Sequence, residues 1–244
     1  MPLYHTLQIG AFHTLHCDDY LISEHIGHQK LLCAVMDGCT MGEDSYFAAT
    51  LTGKLLRKIA RERFFLEPHL PATAVSTEDL LRQVLQELFA ALRQLKNQLL
   101  LDTRELLTTL ILLIADKASQ TGAVLVLGDG VVGINGHTYV FDQDNRPDYL
   151  GFHLDEDFDQ WYARQEQKIS FDTMEDIGIA SDGILLFRQL KAGYWPAADP
   201  VAYLLQDRDL SEKEDMLELK LKKLEHGFGL QPTDDLAIIR LINA

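Results

Sequence analysis

Four apolar runs, far apart in the chain, each meet an aspartate at one end, and this recurrence limits the folds open to the sequence more than any other feature. The run LLCAVM stops at Asp37-Gly38, AVLVLG leads to Asp129, IGIAS leads to Asp182-Gly183, and Asp234-Asp235 opens LAIIRLI. A short apolar run closed by such a pair reads as a buried strand that carries a carboxylate to the edge of a sheet. One Asp-Gly alone is an ordinary turn signal. Four such settings point further, to a hard-cation site that the fold assembles from distant segments.

With 244 residues and 47% hydrophobic content, the chain can bury a substantial core, most simply as one domain spanning 1–244. No apolar stretch reaches the roughly 20 residues needed to span a bilayer, and no basic segment with an apolar core opens the chain. The expectation is a soluble, cytoplasmic protein without a membrane partner. A net charge of −15 argues against nucleic acid, whose phosphates require Lys and Arg. Cys17, Cys33 and Cys39 are an odd set without paired ligand spacing, so reduced thiols are expected.

In chain order, LYHTLQIGAF is an opening strand, and two more follow around a turn at residues 25–29. Thr40 and Glu43 have capping-box spacing ahead of a helix whose apolar stripe is Phe47, Leu51, Leu55 and Ile59, with Ala48 and Leu56 beside them. A proline-marked connection leads to a second helix, capped by Ser76 or Thr77, with Leu81, Val84, Leu85, Leu88, Leu92, Leu95 and Leu99 on one face. Strands at LLTTLILLIAD and TGAVLVLGDG come next, then a hairpin at Asn135-Gly136. An irregular acidic region, DQDNRPDYLGFHLDEDFDQ, precedes the strand IGIASDGILLF. Residues 199–224 look helical, with a capping box at Ser211 and Glu214 and with Lys220, Lys222 and Lys223 near the C-terminal end. DLAIIRLI closes the chain. This order favours an α+β layered domain with mostly antiparallel sheets.

Carboxylates gathered in one place repel by about 4 kcal/mol per pair at about 4 Å for an effective dielectric near 20. Two divalent cations offset this better than protons do, and an all-oxygen ligand set suits Mg²⁺ or Mn²⁺. Two such ions would bridge a water, lower its pKa and stabilise a phosphoryl group undergoing in-line displacement.

The ordered set CDDY (Asp18, Asp19), AVMDG (Asp37, Gly38), LGDG (Asp129), ASDGI (Asp182, Gly183) and TDDLAII (Asp234, Asp235) resembles the PP2C-type metal-dependent serine/threonine phosphatases. The resemblance implies a four-layer α-β-β-α sandwich with two central antiparallel sheets, and a phosphorylated protein as substrate. It implies that Asp37 bridges two metals, that the Gly38 carbonyl binds the second, and that Asp182 and Asp234 complete the first site. Asp19, with Asp18 beside it, would hold metal-bound waters, and Asp129 with Asp182 would bind a third, looser ion as in bacterial members.

The chain departs from the family pattern at the substrate grip. Thr14 stands where members commonly place a phosphate-binding arginine, and a protonated His13 or His16 lacks the two-pronged fork of arginine. Cys39-Thr40 replaces the common His-Gly, and no Ser follows Asp129. His13, His16, His25 and His28 read as surface or turn residues rather than ligands. Asp235 reads as either a second ligand or a supporting residue. Three other chemistries fit poorly. The nucleophile of haloacid-dehalogenase-type phosphatases would fall on Val35, no cysteine has an arginine six positions on, and Gln160 stands where an EF-hand loop with Asp155, Asp157, Asp159 and Glu166 needs glycine. That acidic stretch reads as a solvated loop, placed where the family carries a flap and able to help select a basic substrate. Three functional readings remain: a metal-dependent protein phosphatase, a phosphatase-like module that binds metal and a partner without turnover, and an acidic globular scaffold whose Asp-Gly pairs are merely turns.

Overall fold

A computed structural model of the chain describes residues 1–40, 42, 44–67, 75–143, 147–191, 195 and 198–243. Two five-stranded antiparallel sheets lie face to face. One has the order β1 (Leu3–Gln8), β12 (Leu236–Ile242), β9 (Asp176–Ala180), β6 (Gly130–Ile134), β7 (His137–Phe141). The other runs β2 (Tyr20–His25), β3 (Lys30–Met36), β4 (Leu110–Asp116), β5 (Thr121–Leu127), β8 (Lys168–Phe171). A short two-stranded antiparallel sheet of β10 (Phe187–Gln189) and β11 (Leu230–Pro232) stands apart.

Strand alternation explains why the central runs are apolar at every position. Along β3, Leu31, Cys33 and Val35 face Val132, Ile177, Ile179 and Ile239 of the opposing sheet. Leu32, Ala34 and Met36 face the other way, into a cluster with α1 (Ser45–Leu66) and α2 (Thr77–Leu99). A strand covered on both faces has no polar side to show. The far face of the first sheet, through Tyr4, Val131 and Ile238, packs on α5 (Pro200–Leu205) and α6 (Met216–Lys223). The result is the expected helix-sheet-sheet-helix order, and the sheet edges that carry the aspartates lie between its layers.

Several local expectations need correction. Helix α1 begins at Ser45 with Asp44 at the N-cap position and no side-chain cap. Thr40 therefore does not cap it, and Glu43 lies outside the described residues. Its most buried face includes the expected Ala48, Leu56 and Ile59, with Leu51 and Leu55 packed at its margin, and extends to Ala49, Thr52, Gly53 and Ala60, because small residues let the helix lie close to the sheet. Ser76 caps α2 as expected, accepting from the Asp79 amide, but burial ends at Leu92 and Leu99 is exposed. Residues 68–74 of the proline-marked connection lie outside the described residues.

The acidic region is not one loop. It contains α3 (Leu150–His153) and α4 (Phe158–Arg164), with Asp157 capping α4 and Trp161 1% exposed against Phe89 of α2. Asp155 and Asp159 pair with Lys96 and Arg82, so this stretch is fastened to α2 by its charges and its indole. Residues 199–224 form two helices separated by turns, and α6 starts at Met216 after Asp215 without a Ser211–Glu214 box. Lys220 is fully buried, donating to the carbonyls of Tyr203 and Asp207 and to Asp207 Oδ1, so it pins α6 to α5 rather than meeting solvent at a helix end. The Asn135-Gly136 hairpin is present, with φ of 50° and 85°.

Candidate metal centre

Each aspartate reaches the site because the chain turns sharply beside it. The main chain at Asp37, just past β3, is clamped by the start of β4. Its amide donates to Thr109 Oγ1 at 3.0 Å, and its carbonyl accepts from Thr108 Oγ1 at 2.8 Å and from the Thr109 amide at 2.9 Å. At Gly38 a Cβ would stand 2.0 Å from the Ser45 carbonyl oxygen, so only glycine lets α1 begin here. Asp129 lies between Gly128 (φ 93°) and Gly130 (φ 137°), in left-handed backbone that glycine adopts without strain. Asp182 opens a 3₁₀ turn, Asp182–Leu185, directly after β9. A Cβ on Gly183 would lie 1.9 Å from the Asp235 carbonyl oxygen, which sets this turn against the chain entering β12.

Carboxylate oxygens of Asp37, Asp129 and Asp182 lie within 4.8 Å of one another. Asp19 stands beside Asp37, its Oδ2 accepting from Ser181 Oγ at 2.6 Å. Ser181 Oγ also accepts from the Ala237 amide, so one hydroxyl joins Asp19 to β12. A second group of His13, Asp18 and Asp235 meets the same 4.8 Å criterion. Asp235 is buried and accepts from the amides of Gly10 and Asp18, which anchors the N-terminal segment. Asp18 Oδ1 accepts from Ser45 Oγ at 2.6 Å, tying this segment to α1. Asp234 remains partly exposed and pairs with His13 Nε2 at 3.2 Å.

His13 closes a turn, as expected, its amide donating to the Gly10 carbonyl at 3.0 Å, and its ring is engaged by two carboxylates. It bridges Asp234 and Asp235, the latter through Nδ1 at 3.0 Å. Burial alone would lower its pKa, but the hydrogen bond to Asp235 and the charges of Asp235, Asp234 and Asp18 outweigh this and raise it. Neither His13 nor Ser181 carries periodicity, and the only local signals are their positions: Ser181 immediately precedes Asp182-Gly183, and His13 lies five residues before Asp18.

Burial dominates the electrostatics. It pushes Asp19 up to about 8, assisted by the charges of Asp182 and Asp235 and opposed by the Ser181 hydrogen bond. Asp182 is pushed up to about 7 by burial and by Asp129 and Asp234. Burial, then Asp19 and Asp182, hold Asp37 well above the usual carboxylate range, and burial raises Asp129. Cys17 and Cys33 are held as thiols by burial, Cys33 pushed up to about 12. Asp19 Oδ1 and Asp129 Oδ1 are buried with no hydrogen-bond partner among the described residues. An unsatisfied buried carboxylate oxygen is costly. Oxygen-only ligands, mutual repulsion and two oxygens without donors fit a divalent cation such as Mg²⁺ or Mn²⁺.

The sequence matches the family model described as Protein phosphatase 2C over residues 12–220, and the chain belongs to that family. Its architecture is shared by solved bacterial structures. A bacterial serine phosphatase is 10% identical, with 99% of this chain and 98% of that chain covered and a TM-score of 0.59. RsbX in complex with magnesium is 12% identical, covering 98% of this chain and 92% of its own, with a TM-score of 0.55. The SiaA-PP2C domain of Pseudomonas aeruginosa is 14% identical, with 99% and 86% covered and a TM-score of 0.60. At these identities the likeness shows the fold. A search of curated proteins returned no match.

Proposed function

We propose that the chain, acting as one unit over residues 1–244, hydrolyses phosphoserine or phosphothreonine in proteins with the help of Mg²⁺ or Mn²⁺ and without a covalent enzyme intermediate. The observation that carries this reading is the convergence of Asp37, Asp129 and Asp182 within 4.8 Å, with buried oxygens of Asp129 and Asp19 that have no donor among the described residues. Family membership over residues 12–220 and the magnesium in RsbX support it.

Asp37, the Gly38 carbonyl, Asp182 and Asp234 would hold two cations, and Asp129 with Asp182 a third. When bound, such cations act as Lewis acids that acidify water and offset charge on a phosphoryl oxygen. Asp19, with Oδ2 fixed by Ser181, keeps Oδ1 free to orient the attacking water and to take its proton. Asp18 holds the N-terminal segment on Ser45, which keeps Asp19 in place. A protonated His13 lowers the net negative field that an incoming phosphate meets at Asp234 and Asp235. The unpaired cysteines fit a reducing, cytoplasmic setting.

The test is hydrolysis of p-nitrophenyl phosphate and a phosphothreonine peptide with and without Mn²⁺. Activity should require Mn²⁺ and fall at least about a hundredfold in Asp37→Asn and Asp182→Asn. Mn²⁺ binding with no hydrolysis of either compound would leave the turnover-free module in its place.

A further inference from the structure

Thr14, where the family commonly carries its phosphate-binding arginine, is exposed and offers no positive charge. A site built from carboxylates still has to hold a phosphate dianion, and a guanidinium does so best because its fork matches two phosphate oxygens. Candidates are few among the described residues, because most arginines are already engaged. Arg57 and Arg61 bind Glu24, Arg82 binds Asp159, and Arg208 and Arg240 bind Asp176. Arg63, Arg93 and Arg164 are similarly hydrogen-bonded. Among the described residues, the guanidinium groups of Arg104 and Arg188 alone have no carboxylate, amide or carbonyl partner, although the Arg104 main-chain amide donates to Asp102.

Of these two, Arg188 is tied to the rim of the acidic site. It is exposed on β10 opposite Gln231 of β11, and β11 runs directly into Asp234. Its guanidinium carbon lies 6.0 Å from the centre of the Phe12 ring, a cation-π contact that steadies the group without using its N–H donors. Phe12 precedes His13, the residue that bridges Asp234 and Asp235, and the Phe12 amide donates to the Thr233 carbonyl. The Thr233 amide and hydroxyl in turn donate to the Leu186 carbonyl, so the start of β10 and the Asp234 turn are joined by two hydrogen bonds. A guanidinium whose donors have no partner among the described residues is therefore fastened near the Asp234 turn, in a chain of net charge −15.

We propose that Arg188 grips the substrate phosphate, taking the part of the arginine absent at Thr14. This rests on the phosphatase reading for its substrate, but not for its test. The measurement is binding of inorganic phosphate to the Mn²⁺-loaded protein by calorimetry, alongside hydrolysis of p-nitrophenyl phosphate. Arg188→Ala should weaken phosphate binding about ten- to a hundredfold, the effect of losing one or two charge-assisted hydrogen bonds, and should raise KM more than it lowers kcat. Arg188→Lys should fall between it and the wild type, Arg104→Ala should leave both unchanged, and Mn²⁺ affinity should be unaltered in all three. Phosphate binding as tight in Arg188→Ala as in the wild type overturns the assignment, whether or not the enzyme turns over. Arg188-dependent phosphate binding without hydrolysis supports the assignment and counts only against the phosphatase reading. A wild type that binds no phosphate overturns the role of Arg188.

Discussion

Asp19 and Asp182 carry the most informative titrations in the molecule. Their folded-state pKa values of about 8 and about 7 lie far above those of exposed carboxylates. A carboxyl raised in the folded state contributes stability that is fully present below the unfolded value near 4 and is lost as pH rises through the folded value. Metal-free protein should therefore lose thermal stability steadily between about pH 5 and pH 8, and Asp19→Asn, which mimics the protonated form, should flatten that slope. With Mn²⁺ present the trend should reverse, because the cation and the proton compete for the same oxygens and metal affinity grows with pH. Melting curves in chelator and in Mn²⁺ over this range check both statements, and a metal-free stability that rises with pH would contradict the account. At this scale the aspartates were legible because each adjoins an apolar run. His13 and Ser181 were not, because their partners Asp234, Asp235 and Asp19 lie more than 150 residues away in sequence and meet them only through the fold.

At the scale of elements, the strands were read closely because a strand buried on both faces leaves an unbroken apolar run. Helix boundaries were read less well. Thr40 and Ser211 stand at capping-box spacing, but the turns at Asp44 and Asp215 set where α1 and α6 begin. The sequence shows the α1 face through Ala48, Leu56 and Ile59 but not its extension to Ala49, Gly53 and Ala60, because small residues give little hydrophobic signal although close approach to the sheet needs them there. The acidic stretch hid α4, since its charges outnumber the two aromatic residues that bury it, Phe158 and Trp161. The 3₁₀ turn of Asp182 and the entry to β12 meet at Gly183 with no room for a side chain. Gly183→Ala should therefore cost about 1–3 kcal/mol and weaken Mn²⁺ binding as well. Gly136→Ala, with open space around it and only a positive φ to satisfy, should cost about 1 kcal/mol and leave metal binding intact. Equal effects on metal binding from the two variants, measured by denaturant unfolding and metal titration, would show that Gly183 does not shape the site.

For the whole molecule, the layer order followed from the sequence of strands, long helices, strands and closing strand. The cations inside it did not. Lys220 and Arg240 sit in segments that read as a helix end and an apolar strand, yet both are fully buried. Arg240 takes both oxygens of Asp176 at 2.8 Å and the carbonyls of Leu204 and Asp207, fastening α5 to the first sheet. Past the other end of β9, the carboxylates of Asp19, Asp37, Asp129 and Asp182 gather with no such lysine or arginine among the described residues. The central claim is that divalent ions take that place. Calorimetric titration of chelator-treated protein with Mn²⁺ tests it most directly. The account predicts saturable binding of about two ions per chain, lost or reduced to one in Asp37→Asn while the fold persists. Binding that is absent in the wild type, or unchanged in Asp37→Asn, would contradict it.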